Sequence, residues 1–397
     1  MNRPRRLITP TSLVGAILFA DTMAYSGLLP LIPELQRKLA VSDTAMGALI
    51  GGLAFGVAVF GIPMGRLTDK VGPRRITIIA GVLLTISFAG FYWVSSYSGF
   101  IIVRLIQGFA SSAAWIGGSA WAALGDPTTR IRRLAATSGA AMSGAIFGAG
   151  LSGFMASRYG LMSSFVLFAA FVGAALILLL LRTSRPERPP SEKLPPFLKS
   201  LKHVWNSAKF SVAAALTGLF SLIGNAQSTV YTLGLGDRGM SAQSLGIAFL
   251  LGGISLAVGQ AFIPRLLDRV TPARLLSLVA TSFAGLLTLN WVWHTQTSLL
   301  ITVVLGPALF GGIFGSTLGL LAEGAEEGGS TSAIGITFWS VMWAVGAMIG
   351  PVLGGASSEV VGERFTIAWL IALTLSAIPI TLAILRPRTG KADLLPS

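Results

Sequence analysis

A chain of 397 residues that is 53% hydrophobic and 11% charged, with a mean hydropathy of +0.75, carries more apolar surface than one soluble core can hide, since soluble domains hold about a quarter charged residues. Its formal net charge of +14 would point to nucleic acid in a soluble protein, but the cations fall in alternate loops and so report topology. With no cysteine, disulfides, iron–sulfur clusters and thiol chemistry are excluded.

The basic start, MNRPRRLITP, leads into an apolar run too long for a signal core, so it reads as a first span. Apolar windows and polar breaks predict spans at 11–33, 43–64, 75–94, 98–123, 134–157 and 162–181. A second set follows at 210–233, 245–264, 275–293, 299–322, 333–357 and 365–385. Lipid cannot satisfy an open strand edge, and long unalternating apolar runs do not suit a β-barrel. The expected fold is therefore an all-α polytopic membrane protein of twelve transmembrane helices. With the N-terminus inside, 23 of the 29 Lys and Arg fall on the side of the termini. Arg37, Lys38, Arg158, Arg238 and Arg364 lie opposite, and Arg104 lies within a span. That bias predicts both termini in the cytoplasm and no nucleic-acid partner.

Span one reads AILFADTMAYSGLLPLIPEL, with Asp21 about ten residues in, or roughly 15 Å of helix rise, near the bilayer midplane. Glu34 and Glu323 sit at span ends, where water or headgroups can solvate them, so Asp21 is the one acid that deep. A carboxylate so placed can change protonation as a cavity opens from side to side, which equips a proton-coupled carrier. The plainer alternative is a hydrogen bond to a neighbouring helix, for which a neutral Asn would serve at lower cost.

Between spans two and three runs GRLTDKVGPRR (65–75), where glycines allow a tight loop and Asp69 and the cations can hold one packing. Orienting the chain in the membrane is the alternative role of those cations. Span four carries RLIQGFASS, and an arginine within hydrocarbon, costing at least ~2.5 kcal/mol on insertion scales, should face a cavity or a partner. Snorkelling to the near interface is the other reading of Arg104. Span five carries GAIFGAGLSG (144–153), small residues that let helices approach closely. The linker that follows opens with five prolines between Pro186 and Pro196. Its second part sets Phe197, Leu198, Leu201, Val204, Trp205 and Ala208 at helical spacing against Lys199, Lys202, His203 and Lys209. That pattern reads as an amphipathic helix on the inner leaflet, or as a solvated helix.

The second set repeats the first. PRLLDRVTPAR (264–274) realigns with 65–75, and GAMIGPVLGG (346–355) with 144–153, at offsets of 199 and 202 in equivalent spans. The predicted organisation is thus an N-terminal six-helix bundle (1–181), a cytoplasmic linker (182–209) and a pseudo-symmetric C-terminal six-helix bundle (210–397), with the site between the copies.

These residues resemble the major facilitator superfamily along the whole chain. Its loop signature G-x-L-x-D-R-x-G-R-[RK] is met at Gly65, Leu67, Asp69, Lys70, Gly72, Arg74 and Arg75, with Pro73 where an arginine is usual. The resemblance implies a cytoplasmic gate formed by Gly65, Asp69, Gly72, Arg74 and Arg75, with Asp126 as partner of an arginine. Arg104, Gln107 and Gly108 resemble the R-x-x-Q-G motif associated with proton-coupled members. Residues 144–153 resemble the antiporter motif G-x-x-x-G-P-x-x-G-G with Ala149 and Ser152 substituted. The intact copy, Gly346, Gly350, Pro351, Gly354 and Gly355, reads as helix packing.

A mid-span acid followed by a proline resembles span one of the drug/proton antiporter branch, which includes multidrug efflux pumps. The resemblance implies alternating access and proton-coupled efflux of lipophilic or cationic small molecules, with Asp21, Arg104 and Gln107 as coupling residues. Tyr25, Trp115, Asn225, Gln227, Tyr231, Trp339 and Trp343 lie in spans that line the cavity of this superfamily. Aromatic walls suit flat, often cationic molecules. The runner-up is an uptake carrier for a sugar or nucleoside. An enzyme is not expected: GLGD (234–237) falls in an outer loop, His203 and His294 lie outside the spans, and no P-loop occurs. The expected partners are a small-molecule substrate, protons and the bilayer of the cytoplasmic membrane, for a monomer without cofactor or metal.

Overall fold

Several of the apolar windows begin where a hydroxyl or a proline takes over the unsatisfied start of a helix. Thr9 and Ser12 form a capping box, Ser42, Ser96 and Ser207 each accept a first-turn amide, and Thr295 and Ser298 repeat the box. The structure is a computed structural model that describes residues 9–124, 127–182, 204–205, 207–262, 265, 270–330 and 332–384. The first half contains α1 (Pro10–Gly27), α2 (Ile32–Leu39), α3 (Asp43–Val71), α4 (Pro73–Trp93), α5 (Tyr97–Ala123), α6 (Arg130–Tyr159) and α7 (Ser163–Arg182). The second contains α8 (Ala208–Asp237), α9 (Ala242–Phe262), α10 (Pro272–Trp293), α11 (Gln296–Glu327), α12 (Ser332–Val361) and α13 (Glu363–Ile384). Among the described residues, twelve stretches are long and apolar enough to cross a membrane, α1 and α2 together making the first. They are joined by a 3₁₀ turn at Leu29–Leu31, where Pro30 and Pro33 interrupt the amide ladder. No strand occurs among the described residues.

Two cores result. One gathers buried residues from Leu13 to Leu179, together with Leu233 and Ala242 of the second half, around Phe88, Phe91, Phe165 and Phe168, with the Phe91 and Phe165 centroids 4.5 Å apart. The other runs from Val204 to Ala377, with Phe283 and Phe310 centred 4.7 Å apart. Rings at such spacing gain attraction beyond their buried area.

The halves meet at the end of the bundle opposite the termini. There α3 packs on α12 and α6 on α9 through glycines that leave no room for a side chain. A methyl at Gly47 would overlap the Pro351 carbonyl, one at Gly355 the Asp43 carbonyl, and one at Gly153 the Ala242 carbonyl. Nearer the termini, Gly61 and Gly65 on α3 and Gly139 on α6 meet nothing within 4 Å. The space between the halves therefore opens toward the termini. Two cavities lie at that end, both lined by first-half residues alone, of about 400 Å³ beside Gly15, Phe19 and Ala140, and about 530 Å³ beside Trp121, Thr129 and Arg132.

The connection between spans two and three is shorter than expected. Residues 65–71 continue α3, so Gly65 lies inside a helix, and the whole turn is Gly72 at φ +97°, followed by Pro73 as the first residue of α4. Backbone hydrogen bonding extends a helix past the apolar stretch that hydropathy detects, and only a residue tolerant of positive φ reverses the chain in one step. The same extension carries α11 to Glu327. Of the proposed amphipathic linker helix, Val204 is buried and the Trp205 ring stands 5.5 Å from Phe338. Residues 197–203 lie outside the described residues.

Candidate functional site

On α5, Arg104, Gln107, Ser111 and Trp115 recur at intervals of three or four residues and so share one face. Opposite stand Asp21 and Tyr25, one turn apart on the antiparallel α1. Asp21 is 2% exposed and Arg104 1% exposed, so both side chains turn into the bundle. The Ser111 hydroxyl donates to Asp21 Oδ2 at 2.7 Å, and the Trp115 indole N–H donates to the same oxygen at 3.2 Å. One turn away, Arg104 Nη1 donates to Gln107 Oε1 at 2.8 Å, and the guanidinium carbon lies 5.9 Å from the centre of the Tyr25 ring. No ion pair within 4.0 Å joins Asp21 to Arg104. Asp21 Oδ1, Arg104 Nε and Gln107 Nε2 are buried without a hydrogen-bond partner, a concentration of unmatched polar atoms that ordinary helix packing avoids.

The second half closes the cluster. The Tyr25 hydroxyl donates to Asn225 Oδ1 on α8 at 3.2 Å, and the Tyr25 and Trp343 rings are centred 6.3 Å apart. Trp115 is 37% exposed and supplies an open aromatic wall beside the carboxylate. A site of this kind offers a carboxylate that can exchange a proton for a cation, a fixed guanidinium, and ring faces that accept varied flat shapes.

The helix that carries Asp21 is held by α6. Gly144 and Gly148 of GAIFGAGLSG sit against the Phe19 and Met23 carbonyls, and Thr22 donates to the Ala141 carbonyl at 2.5 Å. In the intact copy, Gly346, Gly350 and Gly354 pack on the α8 backbone between Gly218 and Ala226, whereas Gly355 and Pro351 face α3 of the other half.

Three expected cavity residues stand apart from the cluster. Gln227 is buried two residues beyond Asn225, which puts it on the opposite face of α8. Tyr231 lies in the core of the second half, where its hydroxyl accepts from Asn290 Nδ2 at 2.9 Å. Trp339 donates to Thr317 at 3.3 Å and packs edge-on to Phe314. All three turn toward their own bundle because α8 and α12 each have a face for the core and another for the cleft. Of the expected gate, Asp69 and Arg75 are exposed, Gly72 makes the turn, and Arg74 is half-buried. Asp126 lies outside the described residues. Ser111 was not singled out from sequence, although its spacing of seven from Arg104 and four from Trp115 was there to read.

Residues 14–346 match the sequence pattern of the Major Facilitator Superfamily. Multidrug resistance protein 1 of Bacillus subtilis (strain 168) is 27% identical over 380 residues, covering 89% of this chain and 94% of that protein. MFS-type transporter SLC18B1 of Homo sapiens is 25% identical over 381 residues, covering 89% and 81%. In fold, the chain is similar to a bacterial homologue of the human lysosomal transporter Spinster, solved in an inward-facing and unoccupied conformation. The TM-score is 0.77 at 14% identity, covering 95% of this chain and 96% of that one. The nucleoside transporter NupG gives 0.75 at 13% identity, covering 96% and 100%. This multi-pass membrane protein belongs to the Major Facilitator Superfamily of transporters.

Proposed function

We propose that the protein is a drug/proton antiporter of the cytoplasmic membrane. It exports lipophilic or cationic small molecules by alternating access, as a monomer with both termini in the cytoplasm. The observation that carries this reading is the arrangement of Asp21, buried, with one oxygen held by Ser111 and Trp115 and the other unmatched, beside an exposed indole. A proton and an organic cation compete for that unmatched oxygen. Arg104 stands nearby without an ion pair to Asp21, so that oxygen stays open to either ligand. The multidrug name of the Bacillus subtilis relative agrees with this substrate class. Rocking of residues 1–181 against 210–397 would expose the site to either side in turn, and the α3–α4 turn with Asp69, Arg74, Arg75 and Asp126 would latch the cytoplasmic side.

The buried donors Arg104 Nε and Gln107 Nε2 favour a second reading, uptake of a polar metabolite whose oxygen they would bind. Everted vesicles carrying wild type or Asp21→Asn separate the two. Under an imposed pH gradient, wild type is expected to accumulate ethidium or tetraphenylphosphonium and Asp21→Asn to lose that uptake. Gradient-driven cation uptake that survives in the variant contradicts the proposal, and saturable uridine transport without cation transport supports the second reading.

A further inference from the structure

At the end where the halves meet, each half sends one carboxylate onto the N-terminus of a helix belonging to the other. Glu359, near the end of α12, accepts from the Thr44 backbone N–H at 3.2 Å and from the Thr44 hydroxyl at 2.6 Å. Thr44 is the second residue of α3. Glu34, on α2, accepts from the backbone N–H of Ala242 at 3.4 Å, and Ala242 is the first residue of α9. The first amides of a helix have no acceptor within it, and the summed peptide dipoles make that end positive. A carboxylate arriving from the opposite half meets both needs.

We propose that Glu34 and Glu359 are reciprocal latches that hold this end of the transporter closed, each capping an interface helix of the other half. Glycine faces such as Gly47 on Pro351 and Gly153 on Ala242 allow close approach, yet small-residue packing against another helix differs little in polarity from packing against lipid. The two caps add charge-assisted contacts that exist in the closed arrangement and are lost when these ends part. Their neighbours fit the role. Asp43, the first residue of α3, is held by Gln36 at 2.7 Å, and Arg37 donates to the Gly236 carbonyl at 3.4 Å across the same seam. Glu34 and Glu359 are positioning residues, and their effect does not require Asp21 to carry protons.

Because the chain has no cysteine, Val41→Cys and Val360→Cys can be spin-labelled in the full-length protein in nanodiscs, and the distance between them measured. A predominantly short distance is expected in this background. Glu359→Gln and Glu34→Gln are each expected to raise the longer-distance population by about two- to fivefold, the scale of one exposed helix-terminus contact, and the double variant to raise it further. Thr44→Ala removes the hydroxyl bond and leaves the backbone N–H of residue 44 in place, so it is expected to shift the distribution in the same direction as Glu359→Gln but by less, and to add little to it when the two are combined. Melting temperatures separate this shift from misfolding, and Thr44→Ala serves if a glutamate variant fails to fold. A distribution unchanged in the double glutamine variant overturns the proposal.

Discussion

A carboxylate with one oxygen fixed by a hydroxyl and an indole, and the other unmatched, has its approach direction set before any ligand arrives. Ser111 provides the shorter of the two bonds to Asp21. Replacing it by alanine removes a hydrogen bond to a charged group, worth ~1.5 kcal/mol or more. Ser111→Ala is expected to slow gradient-driven uptake of ethidium by roughly tenfold on that scale, while Ser111→Thr keeps most of the rate. Initial rates in everted vesicles check this, and equal rates in the two variants contradict it. At this scale the sequence was legible for charge and opaque for hydroxyls. Asp21 and Arg104 stand out because ionised groups are rare in hydrocarbon. Ser111 does not, because serine is common on packed membrane helices. Tyr231 misled for a related reason: a mid-span tyrosine reads as a cavity wall, but its hydroxyl finds Asn290 within the bundle.

Helices were legible nearly to their ends, because a bilayer demands a long apolar window and the caps at Ser42, Ser96 and Thr295 mark where each begins. Less legible was how far α3 runs beyond its apolar part, since the polar residues 65–71 remain helical in water and leave Gly72 alone to turn. Gly72→Ala places a Cβ on a residue at φ +97° and is expected to destabilise the protein by ~1 kcal/mol or more. A fall in melting temperature would register it. The small-residue motif of α6 was legible as packing, but not which neighbour it packs against. Gly148 lies on the Met23 carbonyl, so Gly148→Val pushes α6 from the helix that bears Asp21. Overpacking of this kind costs roughly 1–3 kcal/mol. The variant is expected to melt lower and to bind cations more weakly, whereas unchanged affinity would detach this packing from the site.

For the whole molecule, the internal repeat announced two similar halves, but nothing in the sequence tells which end of the bundle is closed. That depends on contacts between residues some 200 to 315 positions apart, such as Tyr25 with Asn225 and Thr44 with Glu359. Single-sequence patterns carry no record of such pairs. In the arrangement described, the halves touch opposite the termini, and the Tyr25–Asn225 bond spans them beside Asp21. That bond joins the two halves directly beside the site. The most direct measurement is proton release by purified protein in weakly buffered detergent when tetraphenylphosphonium binds. Exchange at Asp21 predicts acidification that saturates with cation binding in wild type and vanishes in Asp21→Asn. Cation binding with no proton released by wild type, or equal release by the variant, would contradict it.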